Sequence, residues 1–466
     1  MKRKFTTIVA AAVWLLASCG GSTQLGGIQG SGSPVVAYGP IAGFGSIFVN
    51  GVEYATSNAQ IRVDDQPGTE SQLLVGQVVT VTGSVNSDGT TGTATQVTFS
   101  GEVTGPITGI DTAGGTFVVL GQTVRVSGST LFDDNIQPAS IASLQVGNIV
   151  EVSGFPNVAG EIAASRIQLQ AAGSALEVKG IVQSLDMTAH TFRVNTLTVD
   201  YSAIAPSGSL ANGVTVKVSG TMLNAAGALV ATRVDVLPGF GGTANEEGEI
   251  EGLITTFTSN SDFVINGQRV TTNANTQFML DGVTLAVDVR VEVEGSFDAS
   301  GVLVATSVQA TPESASLVRG LVDNVNAASN TLTVLGVTIT TSSATEFEDQ
   351  SNQQLRPFKL SDVHTNDYVE ARGAPAQTGG LTASILVRDT PENHSYLQGT
   401  ASNVASPNLT LLGITVATTL ATQFSGPDGS TLSAAAFFSQ APNKTVKVRG
   451  TLFAGVFTAD QAQIEQ

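Results

Sequence analysis

Three histidines, His190, His364 and His394, are the first side chains to test for acid–base or metal chemistry, because imidazole titrates near neutrality and ligates zinc. They stand in different parts of the chain and have no His, Asp or Glu neighbours at metal-ligand spacing. A zinc site needs about three or four N, S or O ligands brought together. Carboxylate pairs occur at Asp64-Asp65, Asp133-Asp134, Glu246-Glu247 and Glu348-Asp349. Adjacent residues on a strand point to opposite faces, so such pairs do not make an acid–base couple. They fall in loop text, where calcium ligation is an alternative, but no EF-hand or Gly-rich calcium repeat accompanies them. The patterns G-x-S-x-G, H-E-x-x-H and G-x-x-x-x-G-K-[ST] are absent, so the abundant Ser and Thr have no positioned base. These residues predict no catalytic site, no metal site and no cofactor.

One residue does carry a chemical signature. The only cysteine is Cys19, placed directly after Leu16-Ala17-Ser18. Before it come the basic start Lys2-Arg3-Lys4 and an apolar run from Ile8 to Ala17. That is the grammar of a secretory signal peptide, too short for a permanent membrane span. The text around Cys19 resembles the lipobox of bacterial lipoproteins. The resemblance implies cleavage after residue 18, then lipidation of Cys19 with a diacylglyceryl thioether and an N-acyl chain such as palmitate. Several acyl chains turn marginal membrane binding into stable anchoring. Gly20 stands where that family carries an Asp for inner-membrane retention, which implies the outer membrane. A single cysteine leaves no partner for an internal disulfide.

Residues 20–39 hold seven glycines and no charge, the composition of a flexible tether with a reach of about 25 Å. Removal of the leader takes away three basic residues, so 17 basic face 38 acidic side chains, a formal charge of −21. A chain this acidic repels phosphate backbones, which argues against nucleic-acid partners.

The elements that would position any site repeat along the rest of the chain. Each unit opens with a glycine in an apolar stretch: Gly43, Gly105, Gly180, Gly252, Gly320 and Gly399, spaced by 62, 75, 72, 68 and 79 residues. Each closes on a valine-alternating strand that ends in Gly83, Gly154, Gly220, Gly295, Gly373 or Gly450, followed by an alternating exit strand. Between the two glycines lies a predicted hairpin, turning at Asn50-Gly51, Leu120-Gly121, Asn266-Gly267, Leu335-Gly336 and Leu412-Gly413. The third unit departs, with Asn195-Thr196 and no glycine. A Thr-x-Phe follows the hairpin in four units, ending at Phe132, Phe278, Phe347 and Phe424. The short stretch after it is expected to form a helical turn in some units. In RVEVEG, Val289, Val291 and Val293 are expected to face the core while Arg290, Glu292 and Glu294 face water.

Three strands, a connector and two strands in about 70 residues are the plan of an OB-type barrel. The predicted fold class is all-β: a tandem array of about six small OB-like five-stranded barrels. The units are expected over residues 40–100, 101–172, 173–238, 248–312, 313–391 and 392–466, after a signal peptide (1–18) and an anchor and tether (19–39). Units of this size are marginal alone, so neighbours are expected to pack end to end. Residues 238–247, PGFGGTANEE, read as a hinge between two groups of three, with 239–247 as linker.

The text GPIAGFGSIFVNGVEY at residues 39–54, and the recurring G-x-V-x-V-x-G pattern, resemble the domain-of-unknown-function 5666 family of bacterial exported proteins. The resemblance covers nearly the whole mature chain. Its motifs are turn glycines and core valines, so it implies the fold and contributes no catalytic residues. An outer-membrane pore is disfavoured, since the strands are short, aromatics are 6%, and the chain ends in Gln466. The expectation is a non-enzymatic structural or interaction lipoprotein of the cell envelope. The rivals are a lipoprotein that binds a glycan or an envelope protein on an OB-like face, and an enzyme whose residues come from between modules.

Overall fold

The structure, a computed structural model, describes residues 34–464 except 44–46, 88, 90, 113, 128–129, 134, 137–140, 238, 241, 281–282, 311–315, 343–344, 356–357, 377–379 and 427–430. The leader, Cys19 and most of the tether lie outside the described residues.

Among the described residues the strands form six five-stranded barrels. Module 4 shows the plan with its opening strand Glu247–Ser259, hairpin strands Asp262–Ile265 and Gln268–Thr271, closing strand Arg290–Phe297 and exit strand Leu303–Ala310. The opening strand pairs antiparallel with the first hairpin strand on one side and the closing strand on the other. The second hairpin strand runs parallel to the exit strand, which returns antiparallel to the closing strand. This circuit shuts the sheet on itself, the arrangement of an OB-type barrel. Valines and other apolar residues of these strands fill the interiors.

The sequence signals act through backbone geometry. At the hairpin turns Asn50-Gly51, Leu120-Gly121, Asn266-Gly267, Leu335-Gly336 and Leu412-Gly413 both residues have positive φ, as a type I′ turn demands. A leucine in that region is strained. What compensates Leu120, Leu335 and Leu412 is packing, because each lies over the opening glycine of its own barrel. A Cβ on Gly105 or Gly320 would meet the Leu120 or Leu335 side chain at 2.8 or 3.0 Å. In module 1 the residue at this place is Gly39, not Gly43. Gly39 pairs with Val79 as Gly105 pairs with Val150, and Asn50 occupies the space a Cβ there would need. Gly43 instead ends the strand, opposite Phe48.

Each closing glycine sits at a β-bulge, where the exit strand carries one extra residue. A Cβ at any of the six would press into an exit-strand carbonyl oxygen closer than real Cβ atoms come. In four modules the extra residue is a Ser or Thr whose hydroxyl donates to the carbonyl before the glycine: Thr95 to Thr82, Thr232 to Ser219, Thr306 to Glu294 and Ser384 to Arg372, at 3.0–3.1 Å. The threonine of Thr-x-Phe serves the same corner. Thr130, Thr276, Thr345 and Thr422 donate to the exit-strand carbonyls of Ala164, Ala305, Ala383 and Ala459, each at 2.7 Å. A short strand then adds in parallel to the exit strand, as at Phe347 beside Leu386. The connector forms single 3-10 turns at Glu70–Gln72, Ile141–Ser143 and Leu360–Asp362. Module 6 has the one α-helix among the described residues, Ala434–Gln440, with the Ser433 hydroxyl accepting from the Ala436 amide.

The barrels join in pairs through their opening strands. Modules 2 and 3 pair antiparallel (Val178 beside Val103), as do modules 5 and 6 (Val318 beside Leu397). Module 1 pairs in parallel with module 4, Val35 to Tyr38 running beside Glu247 to Ile250. The result is sheets of 13, 11 and 13 strands, each spanning two barrels. The modules are therefore joined side by side rather than end to end, and residues 238–247 do not separate two groups of three. Within that segment Phe240 packs on Tyr38 of module 1 and Phe297 of module 4, and the Asn245 amide donates to the Phe297 carbonyl. Further contacts tie the pairs together. Val78, Phe155 and Leu253 from modules 1, 2 and 4 form one apolar plug, and Ile385 and Val387 of module 5 join the core of module 1.

This packing corrects the expectation for RVEVEG. Val291 and Val293 are buried in the barrel as read, yet Glu292 on the opposite face is only 9% exposed. The outer face is covered by another barrel rather than by water.

Candidate functional site

Several groups of buried charged side chains lie at the junctions between barrels. At the meeting of modules 1, 2 and 3, Asp64 and Asp65 occupy a turn with positive φ at both residues, between the short strands Gln60–Val63 and Gln66–Pro67. They reach Lys217 of module 3, whose side chain is 3% exposed. Its Nζ lies 2.9 Å from Glu177 Oε2, 3.1 Å from Asp65 Oδ2 and 3.9 Å from Asp64 Oδ1. Burial opposes the charge on Lys217, but Glu177 and the two aspartates outweigh it and raise its pKa. Glu151 of module 2 faces Asp64. Burial, then repulsion from Asp64, pushes its carboxyl up to about 8, while Gln170 donates to it at 2.9 Å. Burial likewise raises Asp64, against the pull of Lys217.

Modules 1, 2 and 5 are joined by arginines. Arg166 of module 2 donates to the Val75 carbonyl at 3.0 Å and lies 3.7 Å from Glu348 of module 5. Beside it the bulge residue Ser165 gives its hydroxyl to the Gly76 carbonyl of module 1, instead of to the closing strand of its own barrel as in the four modules above. Arg372 of module 5 donates to the Thr130 carbonyl of module 2 at 2.8 Å. Between modules 5 and 6, Arg319 contacts Asp389 at 2.8 Å and Glu392 at 2.6 Å, with the Tyr368 and Tyr396 rings within 6 Å. The third hairpin departs from the common turn for the same kind of reason. Asn195 donates to Gln122 and to the Gly160 carbonyl, and Thr196 donates to the Gly121 carbonyl, so this turn docks module 3 on module 2.

The histidines are not brought together. His190 stacks edge-on against Tyr201, His364 is exposed beside Asp367, and His394 lies 3.5 Å from Asp460. Among the described residues no three His, Cys, Asp or Glu side chains converge as a metal-holding group. Of the carboxylate pairs, Asp64-Asp65 and, from Glu348-Asp349, only Glu348 enter the junction network. Asp349 turns inward to Arg388, away from Glu348. Asp133 accepts from the Asn135 amide, Glu246 from the Thr243 amide, and Asp134 lies outside the described residues. Sequence reasoning missed Glu151, Lys217, Glu249 and Glu292, whose one available signal was charge in strands of otherwise apolar and small residues.

The family model for a domain of unknown function, DUF5666, matches the chain six times, over residues 37–98, 104–168, 174–235, 251–309, 319–385 and 398–462. The chain belongs to the DUF5666 family. Comparison with curated proteins finds no match. Each DUF5666 segment contains a closing glycine and the bulge beside it. Within this chain the residues shared by the DUF5666 modules shape the barrel, while the charged residues that differ from one module to the next join modules to each other.

Proposed function

We propose that this DUF5666 protein is a lipid-anchored component of the cell envelope, at the outer membrane, with a structural or interaction role and no enzymatic activity. The observation that carries the reading is the use made of its charged side chains. Where Lys217, Arg166, Arg319 and Arg372 meet partners from other barrels, they hold modules together. The anchor rests on Cys19 and the lipobox-like text before it. The acidic charge disfavours nucleic acid as a partner.

Growth with a palmitate analogue tests the anchor: label is expected on the native protein and lost in Cys19→Ala. Protease treatment of intact cells carrying a C-terminal tag tests the display. Loss of the tag only when Cys19 is present places the barrels outside and points to surface adhesion or assembly. Survival of the tag until the outer membrane is opened places them in the periplasm, where cross-linking to envelope proteins is the next step. A native protein that carries no acyl label overturns the proposal.

A further inference from the structure

One barrel face stands open where its counterparts are covered. In every module the closing strand sends alternate side chains out of the barrel. Val78, Ser153, Lys217 and Arg372, on the closing strands of modules 1, 2, 3 and 5, are at most 8% exposed. Each meets another barrel. Ser153 accepts from the Val78 amide at 2.8 Å, Lys217 reaches Asp65 of module 1, and Arg372 donates to module 2. In module 4, Leu253 of the adjoining opening strand is 3% exposed and packs on Val78 and Phe155. Module 6 has the same strands without such cover among the described residues. Its outward row Gln423, Gln461, Arg449 and Tyr396 crosses four strands and continues onto Arg319 of module 5. Gln423 and Gln461 are exposed, and Tyr396, Lys447 and Arg449 are partly exposed.

Lys447 holds in module 6 the place of Lys217 in module 3, three residues before the closing glycine. Lys217 lies 2.9 Å from Glu177 of its own barrel and 3.1 Å from Asp65 of module 1. At Lys447 a tyrosine replaces that glutamate, since Tyr396 stands opposite Arg449 as Glu177 stands opposite Ser219. The Lys447 ammonium lies 6.0 Å from the centre of the Tyr396 ring. Glu370 of module 5 feels Lys447 but is held by Arg372 and Arg319, and Arg449 is bound to Asp460 at 3.0 Å. The acidic turn that covers Lys217 has no counterpart at Lys447 among the described residues. Charge indicates what could supply one. Residues 398–462 hold three basic and two acidic side chains, a formal +1, whereas residues 251–309 of module 4 hold two and seven, a formal −5. Asp288 and Asp298 of module 4 are exposed. We propose that the open face of module 6 docks on module 4 of a second copy of this chain, with Lys447 taking a carboxylate there as Lys217 takes Asp65. In this chain the cover of that face is always another barrel, and the opposite charges of modules 6 and 4 favour this pairing over two module 6 faces meeting. Unlike surfaces meet in such a contact, so it builds rings or head-to-tail chains. The inference rests on the interaction role proposed above and is independent of the anchor.

The test is photo-cross-linking in cells that make two differently tagged copies of the full chain. A photoreactive amino acid replaces Gln461, on the open face, or Ala328, exposed on module 5. Position 461 is expected to yield a product that carries both tags, with the captured peptide from module 4, and position 328 to yield none. Lys447→Glu is expected to lower that product about tenfold and Lys447→Arg to keep it. If Lys447→Glu does not accumulate as folded protein, Lys447→Gln makes the comparison, with a loss of about threefold expected. No doubly tagged product from position 461, an equal yield from position 328, capture from a barrel other than module 4, or a product unchanged by the Lys447 variant each overturns the proposal. Capture of a different protein alone overturns it as well, while leaving the interaction role standing.

Discussion

Gly295 shows how one atom constrains a barrel. A Cβ at this position would press on the Val304 carbonyl at the bulge, and that oxygen belongs to backbone rather than to a movable side chain. Gly295→Ala is expected to cost about 1–3 kcal/mol, read as a lower denaturant midpoint for module 4. Charge at single residues works differently. Glu151 has its carboxyl raised to about 8 by burial and by Asp64, so its contribution to stability is complete in mild acid and declines as pH rises toward 8. Glu151→Gln is therefore expected to flatten the fall in denaturant midpoint between about pH 5 and 8, by at most the one-proton slope of about 1.4 kcal/mol per pH unit. A variant with the native slope would remove Glu151 from the junction's proton balance. These two residues also differ in legibility. The closing glycines recur at matching places in six repeats, whereas Glu151 has the same strand context as any solvent-facing glutamate.

Among the elements, the short strand Glu346–Asp349 ties a hydrophobic contact to an ion pair. It runs parallel to the exit strand of module 5, with Asp349 beside Arg388. Both side chains are nearly inaccessible, and Arg388 also reaches Asp367 and lies over the Phe358 ring at 4.6 Å. Burial alone would raise Asp349, but the bonds from Arg388, Ser351 and Leu355 hold it down at about 2. A depressed carboxyl contributes above its unfolded pKa and loses that contribution as pH falls from about 4 to 2. Asp349→Asn is expected to destabilise module 5 by on the order of 3 kcal/mol at neutral pH and to remove its acid-induced transition in that window, followed by circular dichroism. At this scale the hairpins were readable from Asn-Gly and Leu-Gly, because positive φ is a local demand. The third hairpin was not, since Asn195 and Thr196 answer to module 2 rather than to their own strands.

For the whole molecule, the unit of assembly is the pair of barrels. A small barrel alone buries too little surface to be robust and leaves half of its opening strand unpaired. Modules 2 with 3 and 5 with 6 solve this with a sequence neighbour, and module 1 with the opening strand of module 4. Cutting the chain after residue 238 strands module 1, whereas residues 313–466 keep a complete pair. The first fragment is expected to self-associate through Val35–Tyr38 and the second to remain a folded monomer, as read by light scattering during size exclusion. A monomeric first fragment would show that its contacts with modules 2 and 3 suffice to protect the free edge.

Strand alternation, turn glycines and bulge glycines act within a few residues or along one repeat, so the amino-acid sequence by itself determined that the chain is all-β and built from six alike barrels. It did not determine which barrel sits against which. An outward glutamate reads the same whether water, an arginine or another barrel covers it, and Glu249, on the strand that pairs with module 1, is 0% exposed. The parallel pairing of Val35–Tyr38 with Glu247–Ile250 joins positions some 210 residues apart through backbone hydrogen bonds, which carry no side-chain signature. Only the tertiary structure decided that pairing.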